Sequence, residues 1–376
     1  MIAFIIEDVL LQQVVSEYFN VSKVKMVKPF GNGLIHQTYK VVFDDIQYIL
    51  QQINHYVFQS PIGVMYNIDL ITEHIRKKVI YEGKNYRYST LTLVKTKLGQ
   101  NFVIVDDTYW RCYTWIDGCT YDTPSSPDIF YEAGLTVGQF QELLEDFPSK
   151  LLSDNIPHFH DTPYRYTQFL NAVKIDACQR VEECQTEIHY LMSQADQMNY
   201  IVDALEAKKI PRRVVHNDTK LNNIMFSKDG QKALCLIDLD TVMKGSLVYD
   251  YGDALRLGAS CAKEDDPDIS KVKINLDLVY AFTKGFLTAV QQVITPLEID
   301  LLFCGYFTIT LELGMRFLTD YINGDVYFTL SKQQLLERPK INLERARNQL
   351  QLAREIKNNE KKLRGLIQQV LLELNY

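Results

Sequence analysis

The sequence has no Cys-x-x-Cys pair, no Gly-x-x-x-x-Gly-Lys-Ser/Thr stretch, no internal repeat and no low-complexity tract. Its seven cysteines, at 112, 119, 178, 184, 235, 261 and 304, are odd in number and scattered. That excludes a disulfide framework or a zinc ribbon as the organising device and fits reduced thiols in a cytoplasm. A basic excess is also missing. The formal net charge is −7, and nucleic-acid binding rests on a basic face, so no such partner is expected. No apolar run is long enough for a bilayer, because Glu312 and Arg316 interrupt the stretch that begins at Leu301. Glu7 and Asp8 follow an apolar start with no basic residue, which does not read as a signal peptide. The expectation is a cytoplasmic protein, monomer or weak dimer, with no membrane association.

What is present is ample for a large core. A chain of 376 residues with 23 tyrosines and 18 phenylalanines reads as two or three well-packed domains. Its centre of interest is Val214-Val215-His216-Asn217-Asp218-Thr219-Lys220-Leu221-Asn222-Asn223. A short apolar run delivers His-x-Asp into a polar loop, and an Asn follows five residues after the Asp. A hairpin then reads over 224–226 and 233–237 around a Ser227-Lys228-Asp229-Gly230 turn. It brings up Asp238 in Leu236-Ile237-Asp238-Leu239-Asp240.

Phosphoryl transfer from ATP needs these residue types. A carboxylate orients the attacking hydroxyl and accepts its proton, oxygen ligands hold Mg²⁺, and positive charge stands near the migrating group. Asp218, the pair Asn223 and Asp238, and Lys220 supply these in order, with His216 bracing the loop. A lone His-x-Asp is common in loops and a lone Asp after a strand is often a cap. Four such residues on a strand, loop and hairpin make a much more specific signal. His-x-Asp-x-x-x-x-Asn is the catalytic-loop pattern of protein-kinase-like folds, and Asp238 stands where the first residue of Asp-Phe-Gly would.

The rest of the chain falls in the order that such a fold requires. Residues 7–19 have helical spacing, and Val24–Pro29 reads as a strand. A turn with Gly31 and Gly33 leads into a second strand. Glycines let backbone N–H groups approach phosphate oxygens, although His36 occupies the place of a third glycine. Runs over 39–43 and 46–53 form a hairpin. Its second strand puts Gln51 where a kinase carries a phosphate-binding lysine, and a neutral amide cannot neutralise phosphate. A helix follows over 61–80, with Glu73 or Asp69 as its pairing acid. Strands over 89–95, 101–105 and 109–116 complete an antiparallel sheet, the five-stranded small lobe of a kinase with one strand to spare. Tyr113 to Trp115 reads as the hinge where backbone groups would meet adenine.

Beyond 117 the chain reads as helices over 130–147, 164–192, 198–207, 276–295 and 296–321. A charged tail helix follows over 331–376, facing solvent, with Leu350, Ile356, Leu363 and Ile367 docked. His158 and His160 lack a third metal ligand at suitable spacing. Asp250, with Asp253 in reserve, is the candidate for holding the catalytic loop by backbone hydrogen bonds. Arg316 either pairs with Glu312 at i, i+4 or reaches a polar ligand.

These motifs resemble the aminoglycoside phosphotransferase superfamily of small-molecule kinases. Gly31-Asn32-Gly33-Leu34-Ile35, Tyr48-Ile49-Leu50-Gln51-Gln52-Ile53-Asn54, the stretch Leu236 to Asp253, and Leu311-Glu312-Leu313-Gly314-Met315-Arg316-Phe317-Leu318 are similar to the N-acetylhexosamine 1-kinases within it. The resemblance implies an α+β, bilobal protein-kinase-like fold. An antiparallel β N-terminal lobe with one inserted helix would cover 1–116, and a mainly helical C-terminal lobe 117–376. It implies ATP as phosphoryl donor, Mg²⁺ as cofactor and the C1 hydroxyl of an N-acetylhexosamine as acceptor. His36 and Arg316 would face that sugar with Asp218, while Gly31, Gly33, Gln51, Tyr113 and Trp115 would contact the nucleotide. Asn217 stands where glycine is usual, and Gln52 where arginine is. Another small acceptor such as choline, homoserine, an aminoglycoside or a different sugar is the second reading. A nucleotide-binding pseudokinase is the third.

Overall fold

Alternating apolar residues build a five-stranded antiparallel sheet: β1 (Val24–Pro29), β2 (Gln37–Phe43), β3 (Ile46–Ile53), β4 (Phe102–Val105) and β5 (Thr108–Thr114), in the order β1-β2-β3-β5-β4. This is a computed structural model, which describes residues 8–31, 35–83, 89–328 and 332–376. Each tight hairpin turns on an Asp-Asp pair at positive φ, Asp44 and Asp45 between β2 and β3 and Asp106 and Asp107 between β4 and β5. Two consecutive residues of that hand match the right-handed twist of the strands they join. The helix α1 (Val9–Tyr18) starts at an Asp8 cap that accepts the Leu11 N–H at 3.0 Å. Its Leu11, Val14, Val15 and Tyr18 pack with Val41, Leu50, Trp110 and Cys112 of the sheet. Burial of each large apolar side chain contributes roughly 1.5–3 kcal/mol.

The expected strand over 89–95 is reduced to a single bridge between Leu93 and Tyr113. The reason lies in the register of β5. Its Thr108 to Arg111 edge is taken by β4, which leaves three residues, bonded through Val94 N–H to Cys112 O and Thr114 N–H to Thr92 O.

By internal contacts the chain forms two units. The first gathers Met1–Cys119, Asp146–Ile156 and Met225–Met243. Where the sequence suggests one cut at 116, two later segments therefore return to the first unit. One buried residue of the helix α2 (Pro61–Tyr81) shows how. The Asn67 amide donates to Ser153 O and Val242 O, both at 2.9 Å, and accepts the Ser153 N–H at 2.8 Å. A short strand, β6 (Gly118–Cys119), pairs with Phe226 and Ser227 of the hairpin Ile224–Ser227 and Ala233–Leu236.

The second unit gathers Thr120–Glu145, Pro157–Ile224 and Lys244–Tyr376 and is mainly helical. α3 (Pro127–Leu143) begins at a Ser126 cap with proline in its first turn, so it starts before the expected 130. The long helix read over 164–192 is broken into α4 (Thr162–Ile175) and α5 (Gln185–Ser193). Asp176 is the break. It adopts a left-handed conformation with φ 44°, and its carboxylate takes the N–H groups of Arg180 and Val181, a local alternative to helix that aspartate favours. α6 (Tyr200–Glu206) leads to the strand Arg213–Val215.

Three longer helices close the unit: α7 (Leu247–Gly258), α8 (Leu276–Val290) and α9 (Pro296–Ile322). α7 and α9 meet at glycines. A Cβ at Gly252 would lie 2.5 Å from Gly305 O, and one at Gly305 would lie 2.2 Å from Val248 O, so the two backbones touch. α9 is apolar enough to span a bilayer by composition, but 89% of its apolar window is buried inside the structure, as for a core helix. The expected tail helix is three helices, α10 (Lys332–Glu337), α11 (Ile341–Asn358) and α12 (Glu360–Glu373). α11 is no solvent-facing tail, since Leu343, Ala346, Leu350, Leu352, Ala353 and Ile356 are all fully buried.

Candidate active site

The strand Arg213–Val215 is buried along its length, and a buried charge secures its first residue. The Arg213 guanidinium donates to both Glu298 carboxylate oxygens, at 2.7 and 2.9 Å, and Glu298 also caps α9 through the Thr295 N–H at 2.8 Å. The loop that follows is held by its own N–H groups. Asp250, fully buried in the first turn of α7, accepts His216 N–H at 2.9 Å, Asn217 N–H at 2.8 Å and the Gln141 amide at 2.7 Å. Asp253, one turn on, accepts Thr219 N–H at 3.0 Å. Burial pushes the Asp250 carboxyl above its ordinary value, against the opposing pull of His216 and the two N–H groups. Both the candidate and its reserve therefore bond the loop.

Within this loop Asn217 has φ +66°. A glycine is usual there because the backbone is left-handed, and asparagine is among the few other residues that adopt that conformation readily. His216 is fully buried, edge-on to Phe140, with its Nδ1 accepting the Asp218 N–H at 3.3 Å. Asp218 reaches the surface, 28% exposed, with Lys220 Nζ at 2.9 Å from its Oδ2. The Asn223 amide nitrogen donates to Asp218 O at 2.9 Å and Oδ2 at 2.8 Å. That orients the Asn223 amide oxygen away from Asp218, as a cation ligand needs.

An ion network runs from α11 to this loop. Arg345 and Arg256 both bind Glu264 at 2.5 Å, and Arg256 binds Asp253 at 3.0 Å. Burial would raise the Glu264 pKa, but the two arginines outweigh it and bring it from its ordinary 4.5 to about 2. A depressed carboxylate contributes stability above its unfolded pKa and loses it as pH falls through the folded one. Glu264→Gln is therefore expected to cost about 2 kcal/mol at pH 7, between the exposed and fully buried cases. In urea melts that deficit should shrink between pH 4.5 and about 2. A gap that is constant with pH would contradict the assignment.

In the first unit, the Ala233–Leu236 strand ends in a turn where Asp238 is left-handed, φ 58° and ψ 60°, followed by the 3-10 turn Leu239–Thr241. Asp240 is 1% exposed and is gripped by Arg111, through Nη2 at 2.9 Å and through Nη1. His36 Nε2 approaches the same carboxylate at 2.5 Å, while its Nδ1 accepts the Asn54 N–H at 3.1 Å. Both ring nitrogens of His36, which the resemblance has facing a sugar, thus have partners within the protein. Burial opposes the Asp240 charge, but Arg111 and His36 hold its carboxyl well below the usual range.

Ligand atoms of His36, Asp238 and Asp240 lie within 4.8 Å of one another. The Asp238 carboxylate is a hard oxygen donor of the kind that could hold a divalent cation such as Mg²⁺. Gln51 donates to Thr38 Oγ1 at 3.1 Å and accepts from Arg111 Nε at 3.1 Å. Glu73 is not its partner: that carboxylate binds Arg76 and Lys77 of its own helix.

Tyr113 is buried. The Trp115 ring packs edge-on to Phe30 with Lys40 Nζ 3.9 Å from its centroid. The N–H groups of Thr114 and Trp115 bond Thr92 O and Gln47 O, so the sheet already uses these two hinge amides. Gly31, at φ +79°, has open space where a Cβ would stand and borders a hollow of about 250 Å³ with His36, Thr38 and Tyr39. Gly33 lies outside the described residues.

Sequence reasoning passed over Arg111 and Asp240. The signal for Arg111 was there, a lone cation between Trp110 and Cys112 in an otherwise apolar strand. In the second unit, Glu312 and Arg316 form no ion pair among the described residues. The buried Glu312 instead binds His160 Nδ1 at 2.9 Å and Thr162 Oγ1 at 2.6 Å. Arg316 donates to Tyr327 Oη at 3.1 Å, with the Phe159, Tyr327 and Phe328 rings 5.4, 5.4 and 5.6 Å from its guanidinium carbon.

Solved structures share this fold. An aminoglycoside phosphotransferase from Alicyclobacillus acidocaldarius aligns with TM-score 0.61 at 16% identity, covering 96% of each chain. A microcompartment-associated aminopropanol kinase aligns with TM-score 0.61 at 14% identity, covering 94% of this chain and 98% of that one. A choline kinase from Cryptosporidium parvum gives 0.57 at 14%, covering 95% and 96%. The antiparallel sheet with one inserted helix and the helical C-terminal region are accordingly those of a kinase-like fold. A model of the phosphotransferase enzyme family matches residues 27–268, more than half of the chain, and with the loop geometry above this establishes that the chain belongs to that family.

Proposed function

We propose that the protein transfers the γ-phosphoryl group of ATP to the anomeric C1 hydroxyl of an N-acetylhexosamine, N-acetylglucosamine or N-acetylgalactosamine, in a Mg²⁺-dependent reaction. The observation that carries the transfer chemistry is the loop at 216–223. It presents a surface-reaching Asp218 carboxylate with Lys220 and Asn223 in contact, on a backbone bonded to Asp250 and Asp253. Asp218 would accept the C1 hydroxyl proton as that oxygen bonds to the γ-phosphorus and the bond to the β-phosphate oxygen breaks, giving ADP and the sugar 1-phosphate. Lys220 would place its charge beside the migrating group. Asn223 and Asp238 would hold Mg²⁺, which when bound neutralises phosphate charge.

The sugar assignment rests on the Leu-Gln-Gln-Ile-Asn and Leu-Glu-Leu-Gly stretches and on the surroundings of Arg316. A guanidinium beside aromatic rings suits a polyol, whose hydroxyl and amide oxygens accept charge-assisted hydrogen bonds. It does not suit a cationic acceptor such as choline. Arg165 adds to this: burial and the nearby Arg316 charge lower its pKa, and a second cation there would meet the same repulsion.

A panel of acceptors with ATP and Mg²⁺, including both hexosamines, glucose, choline, homoserine and an aminoglycoside, tests the reading. The expected result is turnover of an N-acetylhexosamine above all others, with an alkali-stable but acid-labile product, as a glycosyl phosphate is. Arg316→Ala should then raise the sugar KM about tenfold or more with little change in kcat, the pattern of lost uniform binding. Preferred turnover of choline or an aminoglycoside would overturn the sugar assignment, and no turnover of any acceptor would favour a pseudokinase.

A further inference from the structure

We propose that Arg111 is a positioning residue for the metal-holding turn. By clamping Asp240 from the sheet, it fixes the direction in which Asp238 presents its carboxylate. This rests on the reading of Asp238 as a metal ligand given above.

A charged side chain at 111 is unexpected on packing grounds. Arg111 is 1% exposed in the middle of β5, between the buried Trp110 and Cys112, where a guanidinium survives only if its charge and its donors are met. The charge is met by Asp240, and three of the donors by Asp240 and Gln51. The Arg111 fork takes both Asp240 oxygens and its Nε donates to Gln51 Oε1. Gln51 and Arg111 are direct partners in the β3 and β5 register. The cation missing at position 51 is therefore present one strand away, and it is spent on an aspartate of the turn.

That aspartate is held from a second side. His36 Nε2 also meets Asp240, and the Asn54 N–H on Nδ1 fixes the ring and requires the proton to lie on Nε2. Asp240, inside the 3-10 turn Leu239–Thr241, is thus pinned from β5 and from the residue preceding β2. Asp238, at the N-terminal end of the turn, has φ 58°. Aspartate adopts this left-handed conformation more readily than most residues, so the direction of its side chain is set by what holds the turn. On this proposal the clamp sets the turn, and the Asp238 oxygen lies within 4.8 Å of the Asp240 and His36 ligand atoms. Removal of the clamp would let Asp238 relax and its carboxylate turn away.

The test is Mg²⁺-dependent ATP binding by calorimetry on the full chain, which requires no acceptor. Arg111→Lys keeps the charge and loses the fork. The expected result is a rise of about tenfold or more in the Mg²⁺ concentration for half-maximal ATP binding, the size typical when a residue supporting a metal ligand is lost. ATP binding without metal should stay unchanged. Asp238→Asn should raise the Mg²⁺ requirement at least as far, and adding Arg111→Lys to it should cause no further loss, since both act through one carboxylate. A folded Arg111→Lys protein with a Mg²⁺ requirement within twofold of the parent, beside an impaired Asp238→Asn, would overturn the positioning role alone. An unimpaired Asp238→Asn would remove the metal reading itself and the proposal with it. Asp240→Asn, which keeps the volume, gives the same readout if Arg111→Lys does not fold; failure of both to fold would assign the pair to stability and also overturn the proposal.

Discussion

Asp218→Asn is expected to lower kcat by about 10²–10⁴ while ATP still binds, because a positioned acid or base typically contributes that much. The geometry makes this substitution unusually clean. Asp218 Oδ2 is occupied by Lys220 at 2.9 Å and the Asn223 amide at 2.8 Å. Asparagine preserves shape and one acceptor oxygen, so Lys220 and Asn223 keep a partner and the loop keeps its backbone bonds to Asp250 and Asp253. The loss should therefore fall on kcat, with thermal stability close to that of the parent. Steady-state kinetics with the best acceptor of the panel, read beside a melting curve, decides the matter. A kcat within threefold of the parent would remove Asp218 from proton transfer.

The second large effect belongs to a residue distant from the reacting atoms. Asp250→Asn should destabilise the protein by about 2–4 kcal/mol and abolish most activity, because buried donors facing a charged acceptor lose more than neutral ones. Asp250 Oδ2 accepts from both His216 N–H and Gln141, and Oδ1 accepts from Asn217 N–H. An asparagine there must set its NH₂ against at least one N–H whichever way it is turned, so the substitution leaves a buried donor unpaired. Urea titration reads the stability, and kcat at a temperature where the variant is fully folded reads the loop. Normal stability together with normal kcat would show that the loop does not depend on this carboxylate.

Short-range signals made much of this structure legible. The strands β1 and β3 lie where alternation and turn residues place them, and the His-x-Asp loop, the hairpin after it and the α7 carboxylates were readable from spacing. What failed depends on pairing at a distance. Whether 89–95 forms a strand is decided by how much of the β5 edge β4 leaves open, which no property of 89–95 reveals. The break at Asp176 needs a side chain to capture two N–H groups beyond it, against a periodicity that otherwise continues. His36 reads as a free polar residue after a glycine turn until Asp240, far along the chain, is seen to bind it. Arg111 is the one residue whose oddity was visible and went unused. Burial of the two faces of α11 was hidden because its charged residues find partners such as Glu264 and Glu187, so the composition looks solvated while the helix is enclosed.

The discontinuous make-up of the first unit bears on how the chain is made. A ribosome delivers residues in order, at about 5–20 per second, and domains generally fold as they emerge. Here the β-sheet is complete by Thr114, yet the segments Asp146–Ile156 and Met225–Met243 that belong with it are still unsynthesised. Until Val242 leaves the exit tunnel, Asn67 lacks the second of its two acceptors, and until Asp240 follows the sheet Arg111 lacks its carboxylate partner. The nascent sheet must therefore wait, half-dressed, through the synthesis of more than a hundred further residues, and that interval is when a chaperone has most to protect.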